Sequence, residues 1–350
     1  MTGRNVPAGP AVESIIERRL ALTTAVASRD IMTPLAPDDF GPAEARHLLW
    51  RAGFGGTEAE VIGLARLGLD KAVDLLVDYD TLPALPDVRD LFNKDIMRPL
   101  SPAERQVQRA ARQRQDEDTL ARFRQMRQQA QQVDRRQMRE IRAWWIDRMV
   151  RTTRPLEEKL TLFWHGHFAT SYRTVEDSYH LFQQNRLFRG NAKSFARLLR
   201  GIIRDPAMLK YLNNNLNRRS DPNENLAREL LELFSLGEGN YTERDIKEGA
   251  RALTGYTYDD DTFVFEREEH DRGNKFILGA RGGLDGDGFV DAILRHAACA
   301  PFIATRLYRF FVADVPAQPR DLTGVHLEAA RALSQRIQRD GDELGPALKM

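Results

Sequence analysis

Two histidines separated by one glycine, His165-Gly166-His167, close an apolar run in residues 159–171, KLTLFWHGHFATS. The chain has seven histidines, and two of them stand here beside Phe163, Trp164 and Phe168. An imidazole can ligate a metal, move a proton, or fill a space with its ring N–H satisfied. Two imidazoles and a carboxylate form a common zinc or non-haem iron set. On one α-helix, residues two apart point about 200° apart. A shared metal therefore requires Gly166 to break the helix so that both rings turn to one side. Glu224 is then the expected third metal ligand beside His165 and His167, with Glu229, His270 and Asp271 as catalytic acid–base candidates. Water made acidic by the metal would serve hydrolysis, and iron would open redox chemistry. In the competing reading the histidines cap a helix end inside an aromatic core. Glu229 and Glu232 are then partners of Arg228 or Arg251.

The segments that must position these residues read as helices. Residues 42–52 start at Pro42, show an apolar face at Ala45, Leu48 and Leu49, and stop at Gly53. The following Gly-Phe-Gly-Gly lacks the strand and Lys-Ser/Thr of a phosphate loop and reads as a turn. Thr57 and Glu60 fit a capping box for the next helix. Residues 101–140 hold 10 Arg, 10 Gln and no Lys, which favours a long helix projecting into solvent near 102–150. From Met138 that helix becomes core-like, with Ile141, Trp144, Trp145 and Met149 on one face. In residues 221–237 (DPNENLARELLELFSLG), Asp221, Pro222 and Glu224 fit N-cap, N1 and N3. Thr242 and Asp245 repeat that grammar, making 220–255 a helical hairpin. A small β-hairpin is expected near 256–280. Asp285-Gly286-Asp287-Gly288 fails the EF-hand spacing and reads as a capped turn.

Composition bounds the function. The 350 residues carry a formal charge of +1, so there is no global pull toward nucleic acid or an anionic membrane. Six acidic residues interrupt the arginine-rich stretch, which argues for a solvated or partner-docking helix over nucleic-acid contact. No run is long and apolar enough to span a membrane. With no export signal evident, the sequence as written reads as cytoplasmic. The single cysteine, Cys299, sits among alanines and reads as a buried, inert thiol. Neither GxSxG nor a dinucleotide-type GxGxxG is present.

Six pieces occur in order: HLLWRAGFG (47–55), KLTLFWHGHFATS (159–171), DPNENLARELLELFSLGEGNYTERDIKEGARALTGY (221–256), HDRGNKFILG (270–279), DGDGFVDAIL (285–294) and PFIATRLYRFFV (301–312). Together they resemble the bacterial domain of unknown function 1800 family. The resemblance implies a mostly helical fold and relatives that are often exported, and it implies no reaction. The long Arg/Gln insertion and the end of the chain inside a new element, as if truncated, depart from the family pattern.

The expected architecture is an N-terminal arm over 1–37 followed by one mostly α domain over 40–350, a multi-helix bundle. Two functions fit it. One is an enzyme dependent on a divalent metal, zinc or iron, using the His-x-His and carboxylate set. The other is a helical scaffold that binds a protein partner through the 101–150 helix.

Overall fold

The computed structural model describes residues 33–86 and 91–350. Most of the expected N-terminal arm lies outside them. Three helices open the described chain: α1 (Pro42–Ala52), α2 (Glu58–Leu67) and α3 (Leu69–Val77). The α2 capping box forms as its sequence dictates, with Thr57 N donating to Glu60 at 2.6 Å and Glu60 N donating to Thr57 Oγ1 at 3.3 Å. The Arg/Gln-rich region is two helices, α4 (Pro102–Arg114) and the 35-residue α5 (Glu117–Arg151). The break falls at Gln115, which adopts φ 55°, and Asp116 then caps α5 through Thr119 N at 3.0 Å.

α4 and the first half of α5 are largely exposed to solvent. From Asp134 onward α5 is committed to the body. Asp134 accepts from Tyr172 and Ser178, Gln137 bonds Asn93 and Ser178, and Ile141 is buried. The expected core-like change of pattern near Met138 marks this docking.

The centre of the fold is α6 (Pro155–His167), whose Leu160 and Trp164 are fully buried, as is Phe168 just beyond it. Around it lie α7 (Tyr172–Val175), α8 (Ser178–Gly190), α9 (Phe195–Ile202) and α10 (Pro206–Tyr211). A buried ionic knot ties α5, α6 and α8 together. Glu158 accepts from Arg148 Nε at 2.5 Å, Arg189 Nε at 2.7 Å and Trp145 Nε1 at 2.9 Å. Burial alone would raise this carboxyl's pKa, but the two guanidinium groups outweigh it and hold the pKa down.

The helical hairpin is α11 (Asn225–Glu232) and α12 (Glu243–Ala252). Its second half starts as expected, with Thr242 N donating to Asp245 at 2.9 Å. The first half does not. Asp221 does not cap α11, and Glu224 is not at N3, because residues 218–223 stay irregular. Asn217 Oδ1 accepts from Asn223 N at 2.9 Å, and Asn223 Oδ1 accepts from Asn225 N at 3.0 Å, so the helix begins three residues later.

Two antiparallel ribbons follow where one small hairpin was expected: β1 (Tyr256–Asp259) with β2 (Thr262–Phe265), and β3 (Lys275–Ile277) with β4 (Ala280–Gly282). The chain continues through α13 (Gly286–Arg295), α14 (Cys299–Phe311), α15 (Gly324–Arg339) and α16 (Gly345–Leu348). Asp285 caps α13 through Gly288 N at 3.0 Å, the capped turn expected there. Cys299 is buried at the start of α14, and burial pushes its thiol pKa up, so it is an inert packing group. None of the described helices is long and apolar enough to cross a membrane.

Removing the Glu158 carboxylate leaves Arg189 without its ion-pair partner and Arg148 with only Glu157 at 3.8 Å. Glu158→Ala is expected to cost about 3–5 kcal/mol of stability, measured by urea denaturation. A loss under about 1 kcal/mol would show that the knot does not hold the three helices.

Candidate functional site

Gly166 does not break α6. The helix runs through it to His167, and a Cβ placed on Gly166 would meet no atom within 4 Å. The expectation that both imidazoles turn to one side is therefore corrected: helical geometry sends them to different flanks. His165 lies against Trp145 and Phe188, with ring centroids at 4.6 and 4.8 Å. Asn185 Nδ2 lies 3.0 Å from its Nε2. Burial, helped by the charge of Arg189, lowers its pKa to about 4.

His167 faces the other way, toward the end of α11. That helix stops at Glu232, and the Phe234 carbonyl lies in the turn just beyond it. The imidazole Nε2 lies 2.9 Å from this carbonyl and donates to it. This bond favours the protonated ring, and so does the helix C-terminus. Burial outweighs both and, with Arg306 adding repulsion, brings the pKa down to about 3. His167 is neutral at physiological pH, and with Nε2 carrying the proton its Nδ1 holds the free lone pair.

The same imidazole lines a cavity of about 550 Å³ with Glu229, Arg306, Arg309, Tyr211 and Leu212. Its apolar wall comes from Phe163, Leu233, Phe234 and Phe310. Four elements supply it: the end of α6, the end of α10, the last turn of α11, and α14. The start of α10 is held by a polar chain. Thr170 donates to Gln184 Oε1 at 2.7 Å, and Gln184 Nε2 donates to Asp205 at 2.6 Å. Asp205 in turn caps α10 through Met208 N at 2.9 Å, and burial raises its pKa to about 7.

Glu229 has no ion-pair partner among the described residues. The arginine next to it, Arg228, is taken by Glu224 and Glu243, both at 3.0 Å. Its neighbour Glu232 accepts from Tyr241 at 2.7 Å. Pairing of Glu229 with Arg228 or Arg251 therefore does not occur. Burial, with some repulsion from Glu232, raises the Glu229 pKa.

Of the six residues expected to form one site, the structure brings only His167 and Glu229 to one cavity. Glu224 serves the surface ion pairs that clamp α11 to α12. His270 lies with Nδ1 2.8 Å from the Thr254 carbonyl, and Asp271 binds Arg251 at 2.7 and 3.1 Å. Both fasten the loop after β2 to the end of α12, and Arg251 lowers the Asp271 pKa. Among the described residues, no three His, Cys, Asp or Glu side chains are placed to hold a metal ion. The ligand set read from the sequence is thus not assembled there.

A family model described as protein of unknown function (DUF1800) matches residues 47–337. This chain belongs to that family. The match spans every cavity residue, from Phe163 to Phe310. Comparison with curated proteins and with solved structures found no match. In this DUF1800 chain, sequence reasoning missed Arg306, Arg309 and the aromatic wall. A signal for Arg306 was present: it is a charge inside the apolar helix PFIATRLYRFFV, four residues from both Phe302 and Phe310.

In the unfolded chain both imidazoles protonate near pH 6.5. In the folded chain they protonate only near pH 4 and 3. The unfolded state thus binds more protons between pH 6.5 and 4, and the stability these histidines contribute falls as pH falls. NMR titration should find both rings neutral from pH 8 to 5. A His165→Gln variant should lose stability less steeply below pH 6, by up to about 1.4 kcal/mol per pH unit. A ring that titrates near pH 6.5 in the native protein would contradict this.

Proposed function

We propose that the cavity is a small-molecule site with acid–base chemistry, in which Glu229 exchanges a proton with a bound, partly apolar organic substrate. The observation that carries this is Glu229 itself, a carboxylate on an aromatic cavity with no ion-pair partner among the described residues. A carboxyl group whose pKa is raised by desolvation is suited to general acid–base work. The volume falls within the range of small-molecule pockets, and the walls are apolar with few polar groups, as such sites require. Neutral His167 adds a hydrogen-bonding ring on the same wall.

The metal-dependent alternative has less support. His167 and Glu229 would supply two protein ligands, and Arg306 is close enough to depress the His167 pKa, so it would also repel a cation there. Elemental analysis of the purified chain tests this reading directly. One zinc or iron per chain, lost in a His167→Ala variant, would favour it. The scaffold alternative rests on α4 and the first half of α5, where Val107, Met126 and Val133 are exposed. In the second half of α5 one face is engaged by the chain's own body, and Ile146 and Val150 are exposed on the other.

Gly166 offers a test that does not touch the polar groups. Gly166→Ala should raise stability by about 1 kcal/mol, because a Cβ there meets only open space. Gly166→Leu should leave the fold intact and narrow the cavity. Neutral aromatic probes such as p-cresol and benzyl alcohol should raise the melting temperature of the native chain and not of Gly166→Leu. Calorimetry of p-cresol binding in buffers of different ionisation heat should show proton exchange that disappears in Glu229→Gln. Equal binding to Gly166→Leu, or no binding at millimolar probe, would overturn the proposal.

A further inference from the structure

Arg306 is the second charge on this cavity that lacks a partner. It projects from the middle of α14 between buried Phe302 and the cavity, with its guanidinium carbon 4.8 Å from the Phe302 ring centre. No acidic side chain among the described residues pairs with it, and its Nε is sealed from solvent without an acceptor. The nearby Arg309 differs: it is exposed and turned toward Asp314 at 3.6 Å. The groups facing Arg306 across the cavity are neutral His167, Arg309 and Glu229, and none forms an ion pair with it. A half-buried cation kept without a counter-ion costs the free chain stability. Stacking on a phenylalanine face offsets only part of that cost.

We infer that the molecule this cavity receives carries a carboxylate on an apolar body, and that the Arg306 guanidinium holds the carboxylate. This rests on the proposed small-molecule site and specifies its substrate class. A guanidinium presents parallel N–H donors that match the two oxygens of a carboxylate, and the aromatic wall takes the apolar part. The bound anion would supply the counter-charge that the chain itself does not. Glu229 would then act on the part of the molecule away from the carboxylate, since two carboxylates repel at close range.

The test uses the full chain and a matched pair of probes, phenylacetate and its neutral isostere phenylacetamide, with inorganic phosphate as a third. Phenylacetate should bind saturably and at least tenfold more tightly than the amide. Arg306→Met should weaken phenylacetate by about tenfold to a hundredfold and leave the amide unchanged. Arg306→Lys should retain part of the preference. The ligand-free Arg306→Met chain should melt at a higher temperature than the native one, because an unpaired charge has been removed. A merely structural arginine would give the opposite shift. Equal binding of acid and amide to the native chain would overturn the carboxylate assignment while leaving the cavity reading standing. Phosphate binding without phenylacetate binding would overturn it in favour of a free inorganic anion. Failure of every probe, neutral ones included, would overturn both.

Discussion

An α-helix rotates successive side chains by about 100°, and α6 keeps that geometry through Gly166. The functional layout follows from this single constraint. One imidazole is carried into the packing between α5 and α8, where it fills space. The other is carried to the end of α11, where it meets the Phe234 carbonyl in the turn just beyond. A glycine one residue before the end of a helix commonly signals a break, but here it leaves open volume on the cavity side without disturbing the backbone. The spacing that suggested a shared metal is therefore the spacing that keeps the two rings apart.

The buried charges divide into two groups. Glu158 receives four N–H donors from two other helices and is fully compensated, so it acts as a structural anchor. Asp205 is likewise buried and bonded by Gln184 and a backbone amide. Glu229 and Arg306 lie on one cavity and have no counter-charge, although the chain is rich in both signs. Folding selects against buried charge left alone unless something outside the chain completes it. That contrast, and not the number of histidines, separates the cavity from the rest of the interior.

Much of the fold was legible because its signals are local. Thr57 with Glu60, Thr242 with Asp245, and the stop at Gly53 each depend on residues within one turn, and each formed as read. The start of α11 was misread because Asn217, six residues before Asn223 and more than one helical turn away, accepts from Asn223 N and holds the intervening residues out of helical form. The site was half legible for the same reason. His167 and Glu229 stand out by type, but the roles of Glu224, His270 and Asp271 depend on which group reaches them first. Arg228 takes Glu224, Arg251 takes Asp271, and the Thr254 carbonyl takes His270. Arg306 was hidden by context, since one charge in an apolar helix reads as the edge of a packed face until its partner is found missing.

The hydrogen bond from His167 also bears on the sign of ligand that the cavity favours. The ends of α10 and α11 both meet this space, and helix C-termini carry partial negative charge that would repel an anion. The Phe234 carbonyl is covered by the imidazole N–H, so its lone pair is already engaged. The same bond fixes the tautomer, with the proton on Nε2 and the lone pair on Nδ1. With Arg306 and Arg309 on the wall against the single carboxyl of Glu229, the local balance is positive. A histidine placed to mask a carbonyl, beside an arginine without a counter-ion, forms a cavity whose electrostatics suit an organic anion better than a cation.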